Sequence, residues 1–233
     1  MIEAIDASRR GFFQILGTAV TVGGLMAPAI AQESRKEEDK RKVKVTPPED
    51  LMREHGVLDR LLLIYEAAMQ KFARGEDFDP DILTSSALIV RDFIENYHEK
   101  SEEEQVFPRF KKAGKMVDLV DYLLAQHSAG RVVTATILKL APASRKEGED
   151  QRHLISTMQA FITIYRPHAA REDTDLFPKL KDVVSPHEYD AMAEDFEKKE
   201  HALFGDDGFE KTVNRVAKLE QAIGIQFIGM AGK

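Results

Sequence analysis

Apolar residues recur at intervals of three and four along most of the chain, the spacing of a helix with one buried face. Leu51, His55, Leu58, Leu62 and Tyr65 fall on one such face. Thr46-Pro47-Pro48-Glu49 precedes them as a capping-box signature, with proline at the first helical position. The pattern predicts a first helix from residue 47 to about 73, stopped at Gly75. A second helix starts at Asp79-Pro80, carries Leu83, Ala87, Val90, Ile94, His98 and Glu102 inward, and ends at Pro108 to Gly114. A third runs from about 115 to 140 with Val120, Leu123, Leu124, His127 and Thr134 on its apolar face. After the breakers Pro142 and Gly148, a fourth spans about 149 to 177 and buries Met158, Phe161, Ile164, Tyr165, His168 and Glu172. Ser185-Pro186-His187-Glu188 opens a fifth helix to about 204 with a second capping box. Beyond the Gly205-Asp206-Asp207-Gly208 turn, Val213, Val216, Leu219 and Ile223 mark a sixth over 209–223.

Short links between the first four helices make antiparallel neighbours. The expected fold is therefore all-α: an antiparallel up-down four-helix bundle with one or two extra C-terminal helices. In that arrangement His55, near the start of the first helix, meets His98, near the end of the second. His127 in the third and His168 in the fourth reach the same end, so four histidines share one level of the bundle.

Ahead of the helices, Ser8-Arg9-Arg10-Gly11-Phe12-Phe13 leads into a mildly apolar run, Ile15 to Ile30, and Ala29-Ile30-Ala31 offers a cleavage site. The paired arginines resemble a twin-arginine export signal. The run is short for a membrane span, which needs about 20 apolar residues. The expected organisation is an export signal at 1–31, a charged linker at 32–45, a bundle at 46–180 and a C-terminal helical extension at 181–233. It implies a periplasmic or otherwise exported protein with no stable membrane span after cleavage.

Composition narrows the chemistry. The 233 residues contain no cysteine, which excludes disulfides, thiolate metal sites and cysteine nucleophiles. A formal charge of −7 gives no footprint for nucleic acid. No Ser-His-Asp arrangement, phosphate loop or nucleotide fingerprint is present.

One phrase occurs twice. His98-x3-Glu102 is followed by Phe107-Pro108, and His168-x3-Glu172 by Phe177-Pro178, at the same offset. Residues four apart share a helix face, so each copy presents an imidazole beside a carboxylate. With His55 and His127 the inward set becomes four imidazoles and two carboxylates, suited to two divalent ions rather than one four-coordinate structural zinc. Spacing leaves the metal open. His153 and His187 read as solvated. His201 and Glu200 are read as a polar helix end, with ligation as the alternative. Tyr65 and Tyr165 read as core residues, with a hydrogen bond toward a bound ligand as the alternative. Pro167 reads either as a tolerated kink or as an aid in aiming His168.

Glu54-His55, His98-x3-Glu102, His127 and His168-x3-Glu172, with the two Phe-Pro closures, resemble the hemerythrin-like (HHE cation-binding) domains over residues 49 to about 204. Ferritin-type proteins carry Glu-x-x-His instead. The resemblance implies a non-haem site of two iron ions in a four-helix bundle. By it His55, His98, His127 and His168 are terminal ligands, and Glu102 and Glu172 bridge. Oxygen-carrying members place a second histidine four residues after the one in the third helix, where this chain has Arg131, and use aspartate where it has Glu172. An open coordination position implies reaction with O2, NO or peroxide rather than simple carriage. The alternatives are an iron storage or delivery protein without catalysis and a zinc-holding structural bundle.

Overall fold

A computed structural model of the chain describes residues 45–226. The export signal expected at 1–31 and residues 32–44 of the charged linker lie outside the described residues. Among the described residues every regular element is helical, with no strand.

Helix α1 is Pro47–Arg74. The Thr46 hydroxyl accepts from the Glu49 backbone N–H, and the Glu49 carboxylate accepts from the Thr46 N–H at 2.9 Å. Gly75 closes the helix at φ 66, a left-handed conformation that glycine adopts freely because it has no Cβ. Helix α2 covers residues 81–113, α3 is Val117–Leu140, and α4 begins as Glu149–Arg171. Helix α5, Pro186–Phe204, opens with the second capping box, between Ser185 and Glu188. Helix α6 is Gly208–Ile223.

Helices α2 and α4 depart from the uninterrupted α-helices that periodicity predicts. In α2, Val90–His98 and Glu102–Val106 are wound as π-helix. In α4 the segment Glu172–Leu176 is π-helical, and Phe177–Asp182 follows as 3-10 helix, extending the element past residue 177. For Glu102–Val106 and Glu172–Leu176 the cause lies in the Phe-Pro closures that follow them. Proline has no N–H, and its ring crowds the carbonyl four residues back. Widening the preceding turn to i→i+5 spacing relieves that crowding. Accordingly, the Phe107 N–H bonds to the Glu102 carbonyl and the Phe177 N–H to the Glu172 carbonyl.

Two apolar clusters lie on either side of the histidine level. One holds Leu58, Tyr65, Ile94, Tyr97, Ile137, Phe161 and Tyr165. The other holds Leu51, Val106, Phe107, Leu123, Leu176, Phe177 and Phe196. Each fully buried leucine or phenylalanine contributes about 1.5–3 kcal/mol relative to exposure. Helix α3 lies along α4, and α1 touches α4, α5 and α6. Arg60 fastens α6 to α1 through two hydrogen bonds to the buried Glu220, at 2.9 and 2.6 Å, and the Arg53 guanidinium sits 4.4 Å over the Phe209 ring. Among the described residues no helix is long and apolar enough to cross a membrane.

Candidate metal centre

The six inward residues read from the sequence come together. His55, His98, Glu102 and Glu172 place one donor atom each within 4.8 Å of one another, and so do Glu102, His127, His168 and Glu172. All six side chains are buried, and the two glutamates belong to both groups. Glu102 sits between halves: its Oε1 is 3.5 Å from His98 Nε2 and its Oε2 is 3.5 Å from His127 Nε2. Glu172 Oε2 lies 3.3 Å from His55 Nε2 and 3.0 Å from His168 Nε2.

The other nitrogen of each ring is held by an acceptor outside this set. His55 Nδ1 donates to Asp173 at 2.8 Å, and His98 Nδ1 to Glu54 at 2.8 Å. His127 Nδ1 donates to Glu103 at 3.1 Å, and His168 Nδ1 to the Gln126 Oε1 at 3.1 Å. The Gln126 amide is oriented by its own donation to the Ile164 carbonyl, so its oxygen faces His168. A proton fixed on Nδ1 leaves the Nε2 lone pair pointing inward, the tautomer a metal requires.

These four acceptors obey a pseudo-twofold rule. Asp173 and Glu103 each follow the shared carboxylate in sequence, while Glu54 and Gln126 each precede a histidine. The phenylalanines of the repeated phrase obey it too. Phe107 stacks on His127 and Phe177 on His55, both with ring centroids 5.6 Å apart. The repeat thus supplies an imidazole, a carboxylate and a ring that packs on the partner helix's imidazole. Glu103 and Asp173, outside the inward set read from the sequence, each hold an imidazole. Their adjacency to the inward glutamates in both copies of the repeat was the available signal.

Electrostatics show what the cluster lacks without a cation. Burial disfavours a charged His55, yet its hydrogen bond to Asp173 and the Glu172 carboxylate 3.3 Å away outweigh that and raise it to about 9. Burial and the neighbouring His55 hold His98 well below the usual imidazole range, and burial brings His127 down to about 4. Burial, reinforced by the Glu172 charge, pushes Glu102 well up. Burial opposes ionisation of Glu172 as well, but His168 and His55 keep its carboxylate ionised. Both oxygens of Glu102 and of Glu172, and Nε2 of His55 and His98, are buried without a hydrogen-bond partner. His127 and His168 bring their Nε2 atoms to 3.1 Å, although both Nδ1 atoms already donate. Two facing lone pairs repel unless a proton or a cation lies between them. Imidazole with carboxylate, two imidazoles to each half, fits a first-row divalent metal.

The remaining candidates fall elsewhere. His153 and His187 are exposed. His201 is exposed and lies 3.1 Å from Asp206, while Glu200 accepts from the Phe209 N–H at 2.9 Å, at the start of α6. Neither joins the cluster. The Tyr165 hydroxyl donates to Glu99 at 2.6 Å, and Tyr65 is a core residue whose hydroxyl has no hydrogen-bond partner. Arg131 Nη2 lies 2.6 Å from both Glu99 and Glu103. It therefore serves the carboxylates around the cluster and adds no donor to it.

Relatives of this chain share much of its length. It is 45% identical over 186 residues to the uncharacterized protein Mb2018 of Mycobacterium bovis and to the uncharacterized protein Rv1995 of Mycobacterium tuberculosis, covering 79% of this chain and 73% of each relative. No solved structure matches it. The family model of the hemerythrin HHE cation-binding domain matches residues 46–180. That match takes in all six converging side chains, and the chain belongs to the hemerythrin HHE cation-binding family.

Proposed function

We propose that this is a non-haem di-iron protein that binds or reacts with O2, NO or peroxide. The observation that carries it is the convergence of four Nε2 atoms on two shared carboxylates while all four Nδ1 atoms are held. In this reading His55 and His98 would hold one ion and His127 and His168 the other, with Glu102 and Glu172 shared between the two groups. Bound iron supplies reversible one-electron chemistry toward small ligands. The chain fixes the tautomers, excludes bulk water with Phe107 and Phe177, and keeps anionic oxygens in the interior.

An antiparallel up-down bundle goes with this assignment. His127 meets Glu103 and Arg131 meets Glu99, so numbers rise on one helix as they fall on its neighbour. His55 meets Asp173 and Tyr65 meets Phe161 in the same sense. Export through the Arg9-Arg10 segment belongs to the same proposal, supported by the sequence at 1–31.

Anaerobic metal analysis of protein purified from its native export route tests the reading. About two irons per chain are expected, with charge-transfer absorption that changes on exposure to O2, NO or peroxide. His98→Ala and His168→Ala should each lose metal. Stoichiometric zinc with negligible iron, or unchanged metal content in both variants, sinks the assignment. Two irons released to an apo-acceptor without any response to the three ligands would indicate iron delivery instead.

A further inference from the structure

The pseudo-twofold relation that organises the site is broken in its supporting residues. Behind His98 stands the carboxylate of Glu54; behind His168, at the matching place, stands the neutral amide of Gln126. Behind His55 stands Asp173; behind His127 stands Glu103, a carboxylate that also takes Arg131 at 2.6 Å and Lys100 at 2.5 Å. Four residues after His127 comes Arg131, and four residues after His55 comes Asp59, an acid where the other half has a cation. Glu99, which shares Arg131 with Glu103 and accepts from Tyr165, has Ala169 as its counterpart after His168.

We infer that the two metal positions are unequal: the His55/His98 position binds a divalent ion first and more tightly, and the His127/His168 position fills second and exchanges its ion. The inference rests on the dinuclear reading above. An anionic acceptor on Nδ1 makes an imidazole a stronger donor and adds negative charge behind it, and such supporting residues change metal affinity by about 10–100-fold. The His55/His98 half has a carboxylate behind both rings. In the other half one support is an amide and the second has its charge offset by Arg131 and Lys100. Arg131 lies 2.6 Å from both Glu99 and Glu103, the two carboxylates nearest His127 Nδ1, so its positive charge offsets what they lend to that ring. Arg131 is thereby a positioning residue: through Glu103 it orients His127, and through its charge it weakens the second position.

Calorimetric and spectroscopic titration of the metal-free full chain with Co(II) tests this. Wild type should take up two ions in steps separated by about tenfold or more, with an uncoupled mononuclear signal at one equivalent. Glu54→Gln should weaken the first step by about 10–100-fold. Gln126→Glu and Arg131→Gln should each tighten the second step and bring the two together. Both exchanges at 54 and 126 are near-isosteric, and the circular-dichroism melt of each variant confirms folding. Two ions bound in wild type with equal affinity overturn the inequality alone, as does a Glu54→Gln chain in which only the second step weakens. Fewer than two ions in folded wild type overturns the dinuclear reading itself, a different result from two equal ones.

Discussion

Phe177 lies against His55 with ring planes 17° apart and centroids separated by 5.6 Å. The phenylalanine comes from the end of α4 and the imidazole from the start of α1, so one contact joins packing to the proposed metal site. Truncation at Phe177 removes a fully buried ring and frees the imidazole to turn. Phe177→Ala should destabilise the chain by about 3–5 kcal/mol, read as a lower denaturation midpoint. Phe177→Leu should recover much of the stability but less of the metal affinity, because leucine fills volume without a flat face. Equal recovery of both would show that stacking does not orient His55.

Gly130 of α3 leaves room for the Tyr165 side chain of α4. A Cβ built there falls 2.1 Å from the Tyr165 hydroxyl oxygen, far inside contact distance. Gly130→Ala should therefore cost about 1–3 kcal/mol and displace the hydroxyl that donates to Glu99. Tyr165→Leu in the same chain removes the hydroxyl oxygen and both ring carbons that the Cβ would meet. The double variant should be more stable than the sum of the two single changes requires, which a double-mutant cycle of chemical denaturation measures. Strict additivity would mean that the helices simply slide apart.

The two capping boxes form local tests away from the site. Thr46→Ala and Ser185→Ala each delete a hydroxyl that accepts a backbone N–H of the first turn. Each should cost about 1 kcal/mol, with metal content unchanged. A loss of metal in Ser185→Ala would show that α5 does more than pack on the bundle.

Much of this was legible in the sequence because helices announce themselves locally. The capping boxes, Gly75 and the 3.6-residue pattern located α1 and α5 to within a residue, and His98-x3-Glu102 placed two donors on one face. What local pattern does not encode is how one helix answers another. Glu103 looked like one member of an acidic run until α3 brought His127 and Arg131 to it. Gln126 carries no charge and no motif, yet its amide sets the tautomer of His168. The π-turns were hidden for a different reason: Phe-Pro reads as an ending, while the physical solution is a wider turn ahead of the proline. His201 shows the converse, a histidine near an expected gap that instead pairs with Asp206 across a turn.

The charge state of His55 makes the metal-free and metal-loaded chains respond to pH in opposite directions. In the metal-free chain Asp173 and Glu172 raise His55 from an ordinary value near 6.5 to about 9. A raised histidine adds stability that is fully present below about 6.5 and is lost as pH climbs through about 9. The stability difference between metal-free wild type and metal-free His55→Gln should therefore be largest at pH 6, on the order of 3 kcal/mol, and shrink toward pH 10. Metal binding runs the other way. A ligating His55 must be neutral, and Glu102, whose ionisation burial and the Glu172 charge oppose, must be ionised to bind. Loading near pH 7 should release protons into weakly buffered solution, and apparent affinity should rise from pH 6 to pH 9. Uptake with no proton release, or affinity that falls with rising pH, would mean that the metal does not displace the His55 proton.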